Sequence, residues 1–147
     1  SFRHLAFGKY SIMSVQEILQ DLNDLFSVFD DPKDKFIQLM DMAKESGQLS
    51  DAEKIDKNKI YGCTSQAWVV ANPNEDETYT FRSDSDALIV KGLLTLLEKI
   101  FSNQPVTEIL SINSNEVLIS VGLGGAVTSQ RTNGFSSAIE KIQGLVK

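Results

Sequence analysis

The stretch "QAWVVANPNEDETYTFR", residues 66–82, decides the fold class of this 147-residue chain. Residues 66–71 are predicted to form a strand, and residues 78–82, in which Tyr79 and Phe81 alternate with threonines, are predicted to form its partner. The linker "NPNEDE" between them is rich in turn-forming residues and too polar to bury. The sequence therefore predicts a β-hairpin at the centre of a small antiparallel sheet of three strands.

Two helices are predicted before the hairpin. Ser14 and Glu17 form an S-x-x-E capping box, and apolar residues then recur at intervals of three and four. Asp31 is placed to cap a second helix, with Pro32 at its first position, where a missing N–H costs nothing. The polar residues 48–59 show no periodicity and are predicted to form a loop.

The most hydrophobic helix is predicted directly after the hairpin. "SDSDALIVKGLLTLLEKIFSN", residues 83–103, leaves little polar face, so this helix is expected to be the central one. Residues 83–86 are expected to cap it, because serine and aspartate side chains accept hydrogen bonds from the free N–H groups of a helix N-terminus. Pro105 is expected to begin a short helix that ends at Leu110.

Residues 114–127, "SNEVLISVGLGGAV", have two interpretations. Four apolar residues from Val117 to Leu123 alternate as in a strand, while Ser114 is placed to cap a short helix. The glycines indicate an ordinary turn rather than a phosphate-binding loop, because no lysine followed by serine or threonine comes after them. An apolar stripe from Phe135 onward predicts a C-terminal helix.

The composition is that of a single domain with an acidic surface. The chain carries 14 lysine and arginine residues against 20 aspartate and glutamate residues, a formal net charge of −6. Such a surface repels a phosphate backbone, which argues against nucleic acid as a partner. No apolar run approaches the roughly 18 to 20 residues of a membrane span, which argues against a membrane protein. A single cysteine excludes an intramolecular disulfide and is typical of a reducing cytoplasm.

The first twelve residues, "SFRHLAFGKYSI", differ in pattern from the rest of the chain. We interpret residues 1–12 as an expression remnant or an extension upstream of a start at Met13, with residues 13–147 forming the single domain. They contain the only histidine, His4. Without it, Ser-His and Cys-His nucleophile pairs are excluded, as are zinc sites built from cysteine and histidine, so we expect neither a metal nor a cofactor.

The only cysteine, Cys63, lies at the edge of the apolar strand rather than inside it. Gly62 before it allows backbone conformations that other residues resist, and Thr64, Ser65 and Gln66 after it can donate hydrogen bonds around the sulfur. Such a thiol is either a small hydrophobic side chain packed under the helices or a nucleophile that reacts as the thiolate. Composition alone leaves these two alternatives balanced.

Three motifs resemble those of a known family. "GCTSQAW", residues 62–68, is similar to the G-C-x-S-x-x-W signature of the SufE/CsdE sulfur-acceptor proteins, and "DSDALIVKGL", residues 84–93, is similar to the start of that family's central helix. "RTNGF", residues 131–135, resembles the R-x-N-G-L segment that opens the final family helix. The resemblance covers residues 14–146. The chain departs from the family pattern at Ser83, Ser129, Gln130 and Phe135.

This resemblance implies a fold and a chemistry. The fold would be the α+β fold of SufE and the related IscU scaffolds, a small antiparallel sheet packed with helices from both chain ends, with residues 114–127 helical. Cys63 would accept sulfur as a persulfide from a pyridoxal-phosphate cysteine desulfurase of the SufS/CsdA type, stimulate that enzyme, and pass the sulfur to a SufBCD-like iron–sulfur cluster scaffold in the cytoplasm. No stand-alone activity is expected, and a homodimer is compatible with the resemblance.

Other functions remain as alternatives to a persulfide carrier. One is an allosteric activator that binds the desulfurase and carries no sulfur itself. A cluster scaffold is disfavoured because one cysteine does not hold a cluster alone. A one-cysteine thiol peroxidase is disfavoured because no P-x-x-x-T/S-x-x-C setting surrounds Cys63.

The turn that carries Cys63 is expected to be supported by Gly62, Ser65, Gln66, Asp84, Asp86, Arg131, Asn133 and Gly134. Asp84 and Asp86 are expected near the thiol, where their negative charge would disfavour a thiolate. Arg131 and Asn133 are placed where the last helix needs an N-terminal cap, and we expect them to organise the chain near the cysteine turn.

Overall fold

The structure, a computed structural model, describes residues 13–147. Residues 1–12, interpreted above as a remnant or an extension, lie outside the described residues. In chain order the elements are α1 (Val15–Ser27), α2 (Pro32–Glu45), a 3₁₀ turn (Asp56–Asn58), β1 (Ala67–Pro73), β2 (Tyr79–Ser85), α3 (Leu88–Phe101), α4 (Val106–Ser111), α5 (Val117–Ser120) and α6 (Ser129–Leu145). None of these helices has the length and apolar character needed to cross a membrane.

β1 and β2 form the predicted antiparallel hairpin. The register runs from Ala67 opposite Ser85 to Pro73 opposite Tyr79. The ring of Phe81 is buried in the core, as the alternation of aromatic residues and threonines in β2 predicts. The hairpin packs against α3, so the fold is α+β with helices from both ends of the chain around a small sheet.

The sheet has two strands within residues 13–147, so the expectation of three is wrong. The segment before the hairpin makes only one isolated bridge, between Lys59 and Trp68. It leaves a 3₁₀ turn just before Lys59 and enters a turn with φ of 97° at Gly62, so too few residues stay extended to form a strand.

The core is built around α3, as its hydrophobic sequence predicts. α3 packs against α2, the hairpin, α1 and α6. Leu96, Leu97 and Phe101 are at most 1% exposed, and burying a side chain of this kind contributes roughly 1.5–3 kcal/mol. Gly92 lets α2 approach closely, because a Cβ there would stand 2.4 Å from the carbonyl oxygen of Leu39.

The start of α3 differs from the prediction. Capping by residues 83–86 is wrong, because β2 extends to Ser85 and the N-cap is Ala87, which makes no side-chain cap hydrogen bond. The carboxylate of Asp84 instead accepts a hydrogen bond from the backbone N–H of Leu49 at 3.1 Å. A buried carboxylate needs such a partner, and strand pairing keeps residue 84 in the sheet rather than at the helix end.

The predicted caps of the first two helices are confirmed. The Ser14 hydroxyl accepts from the N–H of Glu17 at 3.1 Å, and the Glu17 carboxylate accepts from the N–H of Ser14 at 3.0 Å. Asp31 accepts from the N–H of Lys33 at 2.9 Å, with Pro32 in the first turn of α2. These bonds join residues at most three positions apart, which is why the local sequence is sufficient to predict them.

Residues 114–127 contain the short helix α5 rather than the strand that their alternation favours. Val117 and Leu118 are adjacent and both buried, as neighbouring residues on the broad apolar face of a short helix are. The helical interpretation that followed from the family resemblance is therefore correct for residues 117–120. Gly122 then turns the chain with φ of 86°.

The last helix begins earlier than predicted. α6 starts at Ser129, and its N-cap is Thr128, whose hydroxyl accepts from the N–H of Arg131 at 3.3 Å. Capping by Arg131 and Asn133 is therefore wrong, since both lie inside the helix. A threonine in extended conformation before three polar residues is an ordinary N-cap, and the apolar stripe used to place the helix begins only one turn later.

Candidate functional site

The chain around the cysteine forms a loop whose base is closed by hydrogen bonds. We call residues 61–66 the cysteine loop. At its base the N–H of Ile60 donates to the carbonyl of Ala67 at 2.8 Å. The final residue of the loop, Gln66, donates its N–H to the Asp86 carboxylate at 3.1 Å, while its carbonyl accepts from the Ser85 hydroxyl at 2.7 Å and from the N–H of Asp86 at 3.2 Å. The base is therefore fixed to the sheet, and the tip carries the thiol.

Glycine is required at position 62 for two reasons, the conformation of the backbone and the close approach of a side chain of α6. Its φ of 97° lies in the region that residues with a Cβ rarely adopt. A Cβ there would also stand 2.7 Å from the hydroxyl oxygen of Ser137 on α6. The loop thus lies directly on α6, and this is the physical reason for the glycine that precedes Cys63.

Gly134 on α6 makes room for the sulfur. A Cβ at Gly134 would stand 3.0 Å from the Sγ of Cys63. The thiol donates a long hydrogen bond of 3.7 Å to the carbonyl oxygen of Gly134. The structure therefore brings together two residues that lie in separate sequence motifs, one in "GCTSQAW" and one in "RTNGF".

Beside Cys63 lies a cavity of about 30 Å³. Its apolar wall is formed by Leu93 and Leu94 of α3 and Phe135 of α6, all 3% exposed, and its open side by polar residues that include Ser65 and Arg131. A water molecule needs roughly 10–15 Å³ of such space, so the cavity has room for about two water-sized atoms next to the sulfur.

Burial controls the acidity of the thiol. Cys63 is half-buried, and this burial raises the pKa of its thiol above the ordinary value. The expected influence of two carboxylates is not the cause of this shift: Asp84 pairs with Lys54 at 3.4 Å, and Asp86 binds the N–H of Gln66. At neutral pH the resting side chain is therefore the neutral thiol, which is a poor nucleophile.

The other residues expected at the site divide into two groups. Ser65 and Arg131 line the cavity, whereas Asn133 is exposed on α6 and does not line it. Gln66 is held through its backbone rather than its side chain. Among residues 13–147 the guanidinium of Arg131 has no hydrogen-bond or ion-pair partner.

Several residues of the site were missed by the sequence analysis. Ser85 lies inside the "DSDALIVKGL" motif, so that motif was a signal for its role at the base of the loop. Leu93 and Phe135 of the cavity wall also lie in the quoted motifs, whereas Ser137 and Leu94 lie outside them and meet the loop only after α3 and α6 have packed. Within the described residues no group of three or more histidine, cysteine, aspartate or glutamate side chains is arranged to hold a metal ion.

The sequence and the fold are similar to those of known proteins. Residues 20–146 match the family model of SufE, described as an Fe-S metabolism associated domain. An uncharacterized SufE-like protein of Rhizobium etli is 31% identical over 128 residues, which are 85% of this chain and 86% of that protein. The SufE-like protein 1, chloroplastic/mitochondrial, of Arabidopsis thaliana is 36% identical over 125 residues, 85% of this chain but 33% of that longer protein.

A solved structure shares the fold. The solution structure of a hypothetical protein from Thermus thermophilus superposes with a TM-score of 0.71, covering 88% of this chain and 93% of that one, at 18% identity. At this identity the comparison concerns the fold alone, and it agrees with an arrangement of helices packed on a small sheet.

Proposed function

The chain belongs to the SufE family of Fe-S metabolism associated domains, and from this premise we propose that it is a sulfur carrier that holds a persulfide on Cys63. The donor is a pyridoxal-phosphate cysteine desulfurase of the SufS/CsdA type, which presents a persulfide on its own cysteine. The carrier stimulates the desulfurase by removing this sulfur and delivers it to a SufBCD-like iron–sulfur cluster scaffold. The reducing environment of the cytoplasm suits a protein with one free thiol.

The transfer is a thiol exchange that needs no oxidant. The Cys63 thiolate attacks the terminal sulfur of the donor persulfide, a new S–S bond forms on Cys63, the donor's S–S bond breaks, and the donor cysteine leaves as a thiolate. The proton lost by Cys63 balances the proton taken up by the donor. Neither a metal nor a histidine is required, so the residues of the chain are sufficient for the carrier's part.

One observation carries the proposal: the sulfur of Cys63 borders a cavity of about 30 Å³ with an apolar wall. This is space for one additional sulfur atom, and the leucine and phenylalanine side chains shield it from solvent on the side of the core. An exposed persulfide would be reduced or oxidised. The cavity therefore suits a carrier better than an activator that never holds sulfur.

The raised pKa of the thiol fits a loop that works in two positions. In the position seen here, Cys63 is sheltered and neutral, which protects it but slows its reaction. Because the base of the cysteine loop is tied to β1 and β2, opening would move only the tip, residues 61–65. Docking on the desulfurase would draw this tip out of the cavity into surroundings that favour the thiolate.

The mass of the intact protein tests this function. After incubation with a SufS-type desulfurase and cysteine, the chain should gain about 32 Da, one sulfur atom, on Cys63. Cys63→Ser should gain nothing and should not stimulate desulfurase turnover, although it folds. If Cys63→Ser stimulates turnover as strongly as the wild type, the protein is an allosteric activator and the carrier proposal is wrong.

A further inference from the structure

The segment that leads from α2 into the cysteine loop crosses one face of the hairpin. We call residues 48–60 the strap. Buried apolar side chains anchor its two ends, Leu49 at 5% exposed and Ile60 at 2% exposed. None of residues 50–59 is buried, so polar contacts hold the middle of the strap. A segment with few buried apolar contacts opens locally more readily than the core does.

An ion pair ties the middle of the strap to the hairpin. The two terminal nitrogens of Arg82 on β2 each donate to one carboxylate oxygen of Glu53, one of them at 3.3 Å. The Nε of Arg82 also donates to the side chain of Asn72 on β1 at 3.0 Å, which orients the guanidinium. An arginine–carboxylate pair with two hydrogen bonds has a defined geometry, so Glu53 is held at one place on the sheet.

Glu53 also holds the part of the strap that enters the cysteine loop. Its carbonyl oxygen accepts a hydrogen bond from the side-chain amide of Asn58 at 2.8 Å. Asn58 ends the 3₁₀ turn and lies five residues before Cys63. Within residues 13–147 this arm of the loop makes a single isolated bridge with β1, whereas the other arm continues into β1 itself. Side-chain contacts therefore support the arm that strand pairing does not.

We propose that Glu53, Arg82 and Asn58 are positioning residues for Cys63, which they hold in its sheltered position through the strap. None of these three residues lines the cavity beside the sulfur, so they act on the thiol indirectly. When the ion pair breaks, the strap leaves the hairpin and the tip of the loop loses its support on one side. The inference rests on the proposed function for its consequence, that a persulfide on a loosened loop is exposed to reductants and oxidants.

The reactivity of the thiol in the free protein tests this role. Glu53→Ala, Arg82→Ala and Asn58→Ala should each speed the reaction of the cysteine with a maleimide by about two- to fivefold. This is the factor expected when an exposed ion pair or a single hydrogen bond is lost. Asp24→Ala removes the acceptor of an exposed side-chain hydrogen bond within α1 and is the control, which should react at the wild-type rate.

Urea distinguishes local release of the strap from a loss of global stability. Below the unfolding transition, labelling through local release should be almost independent of urea, because release of the strap exposes little surface. Labelling through global unfolding should rise steeply with urea. A steep rise for Glu53→Ala would overturn the positioning role, since the substitution would then act through global stability.

The double variant Glu53→Ala/Arg82→Ala tests whether the two residues act as a pair. It should label about as fast as either single variant, because each substitution removes the same ion pair. Raised salt should speed labelling of the wild type and leave the rate of the double variant unchanged. A double-variant rate equal to the product of the two single effects, or wild-type rates in all of these variants, overturns the proposal. If the strap variants behave as expected but a desulfurase adds no mass to Cys63, the positioning role stands while the carrier function fails.

Discussion

The sulfur of Cys63 and the backbone of Gly134 lie in direct contact: a Cβ on Gly134 would stand 3.0 Å from Sγ, and the Gly134 carbonyl accepts from the thiol at 3.7 Å. These residues are distant in the chain, one in the cysteine loop and one in α6. Because the glycine provides the space that the sulfur occupies, the resting position of the thiol depends on this contact.

Replacing Gly134 by alanine should therefore expel the thiol from its resting position. We expect Gly134→Ala to lower stability by about 1–3 kcal/mol through overpacking and to speed the reaction of Cys63 with a maleimide. Gly144→Ala, in the same helix with nothing within 4 Å of the added Cβ, is the control and should be neutral or slightly stabilising. If Cys63 of Gly134→Ala reacts with the maleimide as slowly as Cys63 of the wild type, the contact with Gly134 does not hold the thiol in its resting position.

The reactivity of Cys63 should depend on pH in the direction set by its burial. Because the pKa of the thiol is raised, Cys63 of the native protein should react with a maleimide more slowly at pH 7 than Cys63 of the urea-unfolded chain. The rate for the native protein should continue to rise with pH in the range where the rate for the unfolded chain has become constant. Rates measured between about pH 6 and 10.5 check this. Identical profiles for the two states would show that the thiol is not sheltered.

The same shift predicts how stability changes with pH. Between the ordinary and the raised pKa, the folded protein retains a proton that the unfolded chain has lost. The contribution of the thiol is therefore fully present below its ordinary pKa and is lost as pH rises through the raised pKa. The difference in free energy of unfolding between wild type and Cys63→Ser, measured by urea titration, should fall in that alkaline range and stay constant below it.

Opening of the cysteine loop should be detectable when the partner binds. Adding a catalytically inactive desulfurase should speed Cys63 labelling by roughly tenfold, equivalent to about 1.4 kcal/mol of barrier. Asp86→Arg removes the carboxylate that holds the N–H of Gln66, so it should raise the basal rate and reduce the gain on docking. A basal rate unchanged by Asp86→Arg would mean that this hydrogen bond does not restrain the loop.

Substitutions of Arg131 distinguish a role of this residue in sulfur transfer from a role in folding. The sequence suggests that it organises the cysteine turn, but its side chain is exposed at the cavity and lacks a partner among residues 13–147. We expect Arg131→Ala to change stability by less than about 0.5 kcal/mol and to slow sulfur loading, because a nearby positive charge favours the thiolate. Arg131→Lys should restore part of the rate, and Asn133→Ala should change neither property. A fall in melting temperature equal to the loss of transfer would instead support the organising role.

A buried ion pair should be essential to the core. The Nζ of Lys91, a residue only 4% exposed, lies 3.1 Å from a carboxylate oxygen of Glu98 and 2.5 Å from the carbonyl of Ser83. Lys91→Ala leaves the carboxylate without its cation and should cost about 3–5 kcal/mol in urea unfolding, whereas Lys91→Met/Glu98→Gln should cost less. Lys99→Ala, on the exposed side of α3, is the control. Equal stability of Lys91→Ala and Lys99→Ala would show that the pair contributes nothing.

Local patterns in the sequence were sufficient for most elements of the fold. The capping box at Ser14, the cap at Asp31 and the alternation in β2 involve residues close together in the chain, and each is present as predicted. The local signals failed where packing decided the outcome. The start of α3 moved because residue 84 remained in the sheet, and the alternation after Ser114 yielded to a helix that buries neighbouring residues on one side.

By itself the sequence determined the α+β class, the hydrophobic central helix, the family and the single cysteine on which the proposed chemistry depends. Only the tertiary structure placed Gly134 under the sulfur, Ser137 under Gly62, and the leucines of α3 beside the thiol. The reason is physical: hydrogen-bonded caps and turns act over a few residues, so a sequence displays them. A cavity and a raised pKa arise from surfaces that are distant in the chain and meet only when the helices have packed on the hairpin.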